Sequence, residues 1–240
     1  MMNFDELGAR IIVTFGDGKV FLTESFLFGV IVAVVIAVFG IWLGSNLKTV
    51  PKGKQIFSEL IVGWIYKFTK ENVGTGNEGY APYIGTVFAF CMCGSMLGLF
   101  GFRPITADVN VTFALSILTF LLIQFSEVKK FGLFGKIKHM CEPYPFMLPL
   151  KILEDLTLPI SLGFRLFGNI LGGLIVIDLW LNFMTYLSTY FSTVPFLRAV
   201  LVLPLNGFFD IFEPIIQTFI FTLLTMIFLG IGINVSKQDS

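Results

Sequence analysis

Two regions of this chain, about residues 150–187 and 197–233, stay predominantly apolar for more than 30 residues each. An upright spanning helix needs only ~20 residues, because the hydrocarbon core is ~30 Å thick and the rise is ~1.5 Å per residue. Helices this long must tilt strongly, bend or break. Three shorter apolar stretches precede them, at about 26–43, 83–100 and 111–125. The first is dense in Val and Ile, which does not argue for a strand, since in lipid only helices and closed barrels satisfy the backbone. Composition agrees: 55% hydrophobic, 13% charged, 29 Phe and a mean hydropathy of +0.86. Soluble domains carry roughly a quarter charged residues. A soluble enzyme, a disordered tail and a secreted disulfide scaffold are excluded. The expected fold is an all-α integral membrane protein with about five membrane crossings.

Between the spans lie two lysine-rich loops, 45–82 and 126–149. With Lys151 and Lys237 they hold 11 of the 16 basic residues. Arg10, Lys19, Arg103 and Arg198 fall on the other side, and Arg165 lies within a span. This asymmetry puts the lysine-rich loops and the C-terminus in the cytoplasm and the N-terminus outside. Within the first loop, 56–68 is too short to span and carries Glu59 and Lys67; it reads as an interfacial helix. The chain thus divides as one membrane domain. An external segment (1–21) leads to a first span (22–44) and a cytoplasmic loop (45–82). A helical hairpin (83–126), a basic loop (127–149) and two long helices (150–235) follow. The start, MMNFDELGAR, is mixed and polar, so no cleavable leader is expected.

Net charge is zero, so no basic field attracts nucleic acid. Cys91 and Cys93 sit in an apolar run at a spacing that does not suit zinc. They read as small packing residues. The single histidine, His139, makes a histidine metal site improbable, and neither a metal nor a cofactor is expected. The chain has no phosphate-binding loop and no G-x-S-x-G nucleophile motif. Coupling to nucleotide energy would have to come through a partner.

Residues 153–169 carry the main chemical signal. Arg165 has apolar residues on both sides, and an arginine at membrane depth costs ~2.5–3.5 kcal/mol even on the lenient insertion scale. It stays protonated in any such environment. At about 100° per residue, Gly168, Asn169, Gly172 and Val176 share its face, so that face is nearly bare. A smooth, Gly-lined surface lets another helix pack closely or slide past. The plainer alternatives are an arginine snorkelling to the interface or one paired with a buried acid. Asp178 is a second ionisable group, pointing away from Arg165 with Leu174. In the last region, Asp210, Glu213 and Gln217 fall within one arc of about 60°, a polar stripe suited to an aqueous path or proton relay. The alternative places Asp210 and Glu213 at headgroup level.

The segment Ser161-Leu-Gly-Phe-Arg-Leu-Phe-Gly-Asn169 resembles the signature of the F-type ATP synthase subunit a family. In order along the chain, Pro51, Gly53, Gln55 and Glu59, then residues 104–112 (PITADVNVT) and residues 217–225 (QTFIFTLLT), resemble further parts of that family. The resemblance runs from about residue 50 to 230. It implies a non-catalytic stator subunit beside a rotating c-subunit ring, with two offset half-channels. An ion, proton or sodium, passes through them to and from a ring carboxylate, and the rotation is coupled to ATP synthesis. By the same resemblance, Arg165 is the ring-facing arginine. Asn169 and Gln217 are polar neighbours, Asp210 matches an acid or histidine of the access channel, and the two long helices lie steeply tilted along the ring. Glu213 joins that half-channel only through the arc it shares with Asp210 and Gln217. Partners would be the c ring, the peripheral-stalk b subunits, the remaining ATP synthase subunits and the lipid bilayer, in a bacterial plasma membrane. The chain departs from the family at Leu174, where many members have an acid or histidine, and at Ser95, where many have Asn. Asp178, one turn on, is expected to stand in for position 174.

Two other classes use similar residues. A self-contained ion channel or secondary transporter would also carry intramembrane charges, but no internal repeat at 20–50 residues supports a duplicated transporter. An intramembrane enzyme would need a nucleophile–base or metal set that His139 alone does not supply.

Overall fold

The computed structural model describes residues 11–15, 20–45, 48, 53–141, 146, 148–191 and 196–234. Arg10, Lys19 and Lys237, together with Pro51 and Lys52 of the first lysine-rich loop, lie outside these.

A short antiparallel ribbon opens the fold, β1 (Ile11–Phe15) against β2 (Val20–Thr23). It begins within the external segment 1–21, whose β-branched and aromatic residues favour pairing. Thr23 then caps the first helix, its Oγ1 accepting from the Phe26 N–H at 3.3 Å. Among the described residues seven α-helices follow: α1 (Glu24–Gly44), α2 (Lys54–Val73), α3 (Ala81–Ser95), α4 (Val109–Cys141), α5 (Leu148–Phe191), α6 (Phe196–Gly207) and α7 (Glu213–Asn234). A 3-10 turn, Met96–Phe100, extends α3. A π-helical segment, Phe208–Phe212, joins α6 to α7.

Among the described residues, five segments are long and apolar enough to cross a membrane: Glu24–Gly44, Glu78–Phe100, Val109–Gly132, Leu148–Thr189 and Val202–Ile233. This is the expected integral membrane fold. α2 is not among them. It is longer than the 56–68 expected, and exposes Ile56, Phe57, Leu60 and Trp64.

The last span forms the centre of the bundle, and α2, α3 and α4 pack around α7. Val73, Ile84, Ile123, Met226 and Leu229 form one buried cluster there, and Val87, Cys91, Leu162, Leu166 and Phe221 form another. Cys91 is buried packing, as expected, whereas Cys93 is exposed. α1 is peripheral and exposes most of its Val and Ile side chains.

Contacts sort the bundle into two ends. At one end Gly29 meets Ile105, Phe28 meets Phe102, and Gly98 meets Asp210. At the other, Gly230 abuts the Asn72 carbonyl and Gly232 abuts Glu127. The start of α1 and the end of α7 therefore lie at opposite ends, as an odd number of crossings requires. The second end carries the lysine-rich loops.

The two overlong regions resolve differently. α5 runs 44 residues without a break, even through Pro159, which at ~1.5 Å per residue is about 66 Å. The last region breaks at the π segment, where the Glu213 N–H donates to the Phe208 carbonyl, five residues back. Pro214 follows and has no N–H to offer the turn before it, so the register changes there at little cost.

Candidate functional site

Arg165 lies near the middle of α5, beside Leu166, which shares a buried cluster with Phe221 of α7. Its side chain is exposed on the outside of the bundle and, among the described residues, no carboxylate pairs with it. A Cβ added at Gly168 or Gly172 would meet nothing within 4 Å. Asn169 and Val176 are exposed as well. Among the described residues nothing approaches this face at Gly168 or Gly172, and α7 borders it only along one edge, at Asn169.

One turn beyond the arginine, Asn169 Nδ2 donates to Gln217 Oε1 at 2.6 Å. Gln217 is only 3% exposed, and its Nε2 is buried without a partner among the described residues, as is Thr218 Oγ1. A buried polar group normally finds a protein or water partner, so this junction is suited to holding water.

Glu213 reaches α5 one turn further along, where its Oε2 lies 3.1 Å from the position of a Cβ on Gly173. The pairs 169–217 and 173–213 set an antiparallel register between α5 and α7. Asp210 does not join this series. Its Oδ1 lies 2.8 Å from a Cβ position on Gly98, so it addresses the end of α3 instead. The wheel at about 100° per residue fails here because the π segment adds a residue between Asp210 and the regular turns of α7. Nearby, Ser95 Oγ pairs with Thr106 Oγ1 at 3.0 Å, both buried.

Asp178 accepts from Asn182 Nδ2 at 3.2 Å, on its own helix. The α5–α7 register places it at the level of Phe208, but about 140° round α5 from Gly173. The structure brings Asn169, Glu213 and Gln217 together and leaves Asp178 apart from them.

Sequence reasoning missed Gly98 and Gly173, the seats of the two carboxylates. It also missed Thr157 and Ser161, which line a groove with Arg165 towards the lysine-rich end. Their spacing of four and eight residues before the arginine was the available signal.

A helical bundle of five spans, with a permanent cation on an uncovered mid-span face and carboxylates in the adjoining helix, defines a multi-pass membrane protein of the ion-transporting class. The sequence profile of the family described as ATP synthase A chain matches residues 26–230. ATP synthase subunit a of Moorella thermoacetica is 30% identical over 83% of this chain and 86% of its own length. ATP synthase subunit a 3 of Pelobacter propionicus is 37% identical over 76% of each chain. A relative from Propionigenium modestum, named ATP synthase subunit a, sodium ion specific, is 30% identical over 78% of this chain and 66% of its own. The chain belongs to the ATP synthase subunit a family, and its partners are other subunits of an ATP synthase.

Proposed function

We propose that this chain is the ion-translocating stator of a rotary ATP synthase, with Arg165 facing the c-subunit ring and the b subunits of the peripheral stalk holding it in place. The observation that carries this reading is the open face around Arg165. A charge that no acid of the described chain neutralises, flanked by Gly168 and Gly172 with nothing near them, suits a partner surface that supplies a carboxylate and moves past. A deprotonated ring carboxylate is costly in lipid, and a fixed guanidinium opposite stabilises it. Arginine cannot itself accept the proton, so it also blocks direct leakage.

Asp210, Glu213, Gln217 and Asn169 then form one half-channel, opening at the end that bears the β-ribbon, with Asp178 contributing at its rim. The lysine-rich end and the C-terminus face the cytoplasm of a bacterial plasma membrane, and α5 and α7 tilt along the ring. One charge falling through the membrane potential yields ~2.3 kcal/mol per 100 mV, too little for ATP chemistry, so several ions summed by rotation serve each ATP. The coupling ion is a proton or sodium, and one relative carries a sodium-specific name.

The test is the assembled enzyme carrying Arg165→Ala in vesicles. The expected result is loss of gradient-driven ATP synthesis and of ATP-driven pumping, with passive ion leak once the catalytic head is stripped. ATP synthesis near the wild-type rate would overturn the reading.

A further inference from the structure

A second polar route leaves Arg165 towards the lysine-rich end. Glu154, Thr157 and Ser161 precede the arginine on the same stripe of α5, and with Leu224 they line a groove of about 300 Å3. Glu154, Leu158 and Phe228 also line a second groove of about 360 Å3, so the two adjoin. Together they have room for several waters.

Lys136 lies in the far end of this route. In a straight helix its Cα would stand about 14 Å along the axis from that of Glu127. α4 breaks at Gly132, where φ is 73° and ψ 166°, a conformation that a residue with a Cβ adopts only under strain. The chain turns back, and Lys136 Nζ meets Glu127 Oε2 at 2.8 Å. The same ammonium donates to Gln124 Oε1, and Gln124 Nε2 donates to Asp155 Oδ2 at 3.1 Å. The two ion-pair side chains are only 12% and 17% exposed. A carboxylate oxygen and an amide oxygen thus hold a cation across the groove, and they are the donor types that a hard monovalent cation takes from protein.

We propose that this groove is the route between Arg165 and the lysine-rich face, and that Lys136 is a tethered cation in it. The lysine competes with the travelling ion for the oxygens of Glu127 and Gln124, and so sets the apparent affinity for that ion on this side of the membrane. The inference rests on the stator reading of Arg165. The groove's end is lined by three carboxylates, Glu127, Glu154 and Asp155, against two ammonium groups, Lys136 and Lys151. Removing the Lys136 charge therefore leaves it more attractive to cations.

The experiment uses the complete ATP synthase in inverted vesicles, whose bath meets the lysine-rich face. ATP-driven uptake is followed against bath Na+ at fixed pH, and against bath pH without Na+. Lys136→Gln and Lys136→Met, the latter keeping the apolar stem, are expected to lower the half-saturating ion concentration about three- to fivefold, the scale of a partly exposed ion pair. The maximal rate should be retained, and Lys136→Arg should behave as wild type. An unchanged half-saturation in either assembled variant overturns the proposal. So does an equal shift when ions arrive from the opposite side, in synthesis by right-side-out vesicles. Failure of both variants to assemble while Lys136→Arg assembles makes the pair purely structural and overturns it too. Arg165→Ala separates the two ideas: if it leaves pumping intact, the stator reading fails first, whatever Lys136 does.

Discussion

Asn169 and Gln217 are joined by a 2.6 Å hydrogen bond that ties the arginine-bearing helix to the last helix one turn from Arg165. The bond fixes how α7 faces α5 at the depth where the arginine stands. Truncating either partner leaves the other amide unsatisfied, at a cost of about 1–3 kcal/mol if the remaining group stays buried. Asn169→Leu is expected to lower coupled pumping more than Gln217→Leu, because it strands the buried Gln217 amide, whereas Gln217→Leu leaves only the exposed Asn169 without its partner. A double-mutant cycle on pumping rates should give a coupling term, and strictly additive losses would mean that the bond has no functional weight.

Gly173 and Gly98 seat the two carboxylates. A Cβ at Gly173 would lie 2.8 Å from the Phe209 ring, and one at Gly98 would lie 2.8 Å from Asp210 Oδ1. Gly173→Ala and Gly98→Ala should each destabilise the subunit by about 1–3 kcal/mol through overpacking, and should slow pumping. A Cβ at Gly168 or Gly172 would meet nothing within 4 Å among the described residues, so the effect of Gly168→Ala and Gly172→Ala should appear only in the assembled complex. Thermal stability of the purified subunit, compared with pumping by the whole enzyme, checks both halves. A Gly168 variant that destabilised the isolated subunit as much as Gly173→Ala would contradict the open face.

The contacts place Phe100 and Lys130 at opposite ends of the bundle, both exposed. The lysine asymmetry assigns the Lys130 end to the cytoplasm. In whole cells Phe100→Cys should therefore react with an impermeant thiol reagent and Lys130→Cys should not. The reverse pattern would invert the topology.

If Asp210, Glu213 and Gln217 line an aqueous path, cysteines there should react with silver ions despite lying within a span. Asp178→Cys should react as well, from the rim. Inert cysteines at the first three positions in a pumping enzyme would remove the half-channel assignment. Asp178→Asn with normal pumping would remove only that residue, which stands about 140° round α5 from Gly173.

Much of this molecule is legible in its sequence because lipid is a demanding solvent. A run of more than 30 apolar residues must be helical, and an arginine inside one must have a use. Those rules gave five spans, the overlong fourth and fifth among them, and singled out Arg165 with its smooth face. They could not place Asp210, because a helical wheel assumes a constant turn and the π segment before Pro214 changes it. They also missed the ribbon of Ile11–Phe15 and Val20–Thr23, since a pair of short strands carries little periodic signal beside long helices.

By itself the sequence determined what must lie in the membrane and which charge stands there, because burial of apolar surface and the cost of a buried ion depend on local composition. Only the tertiary structure decided which groups meet. Asn169 finds Gln217 forty-eight residues away, and Glu213 rests on Gly173. Lys136 returns to Glu127 only because Gly132 takes a positive φ. Such contacts follow from how helices dock and where their geometry breaks, and these depend on the packing of several segments at once.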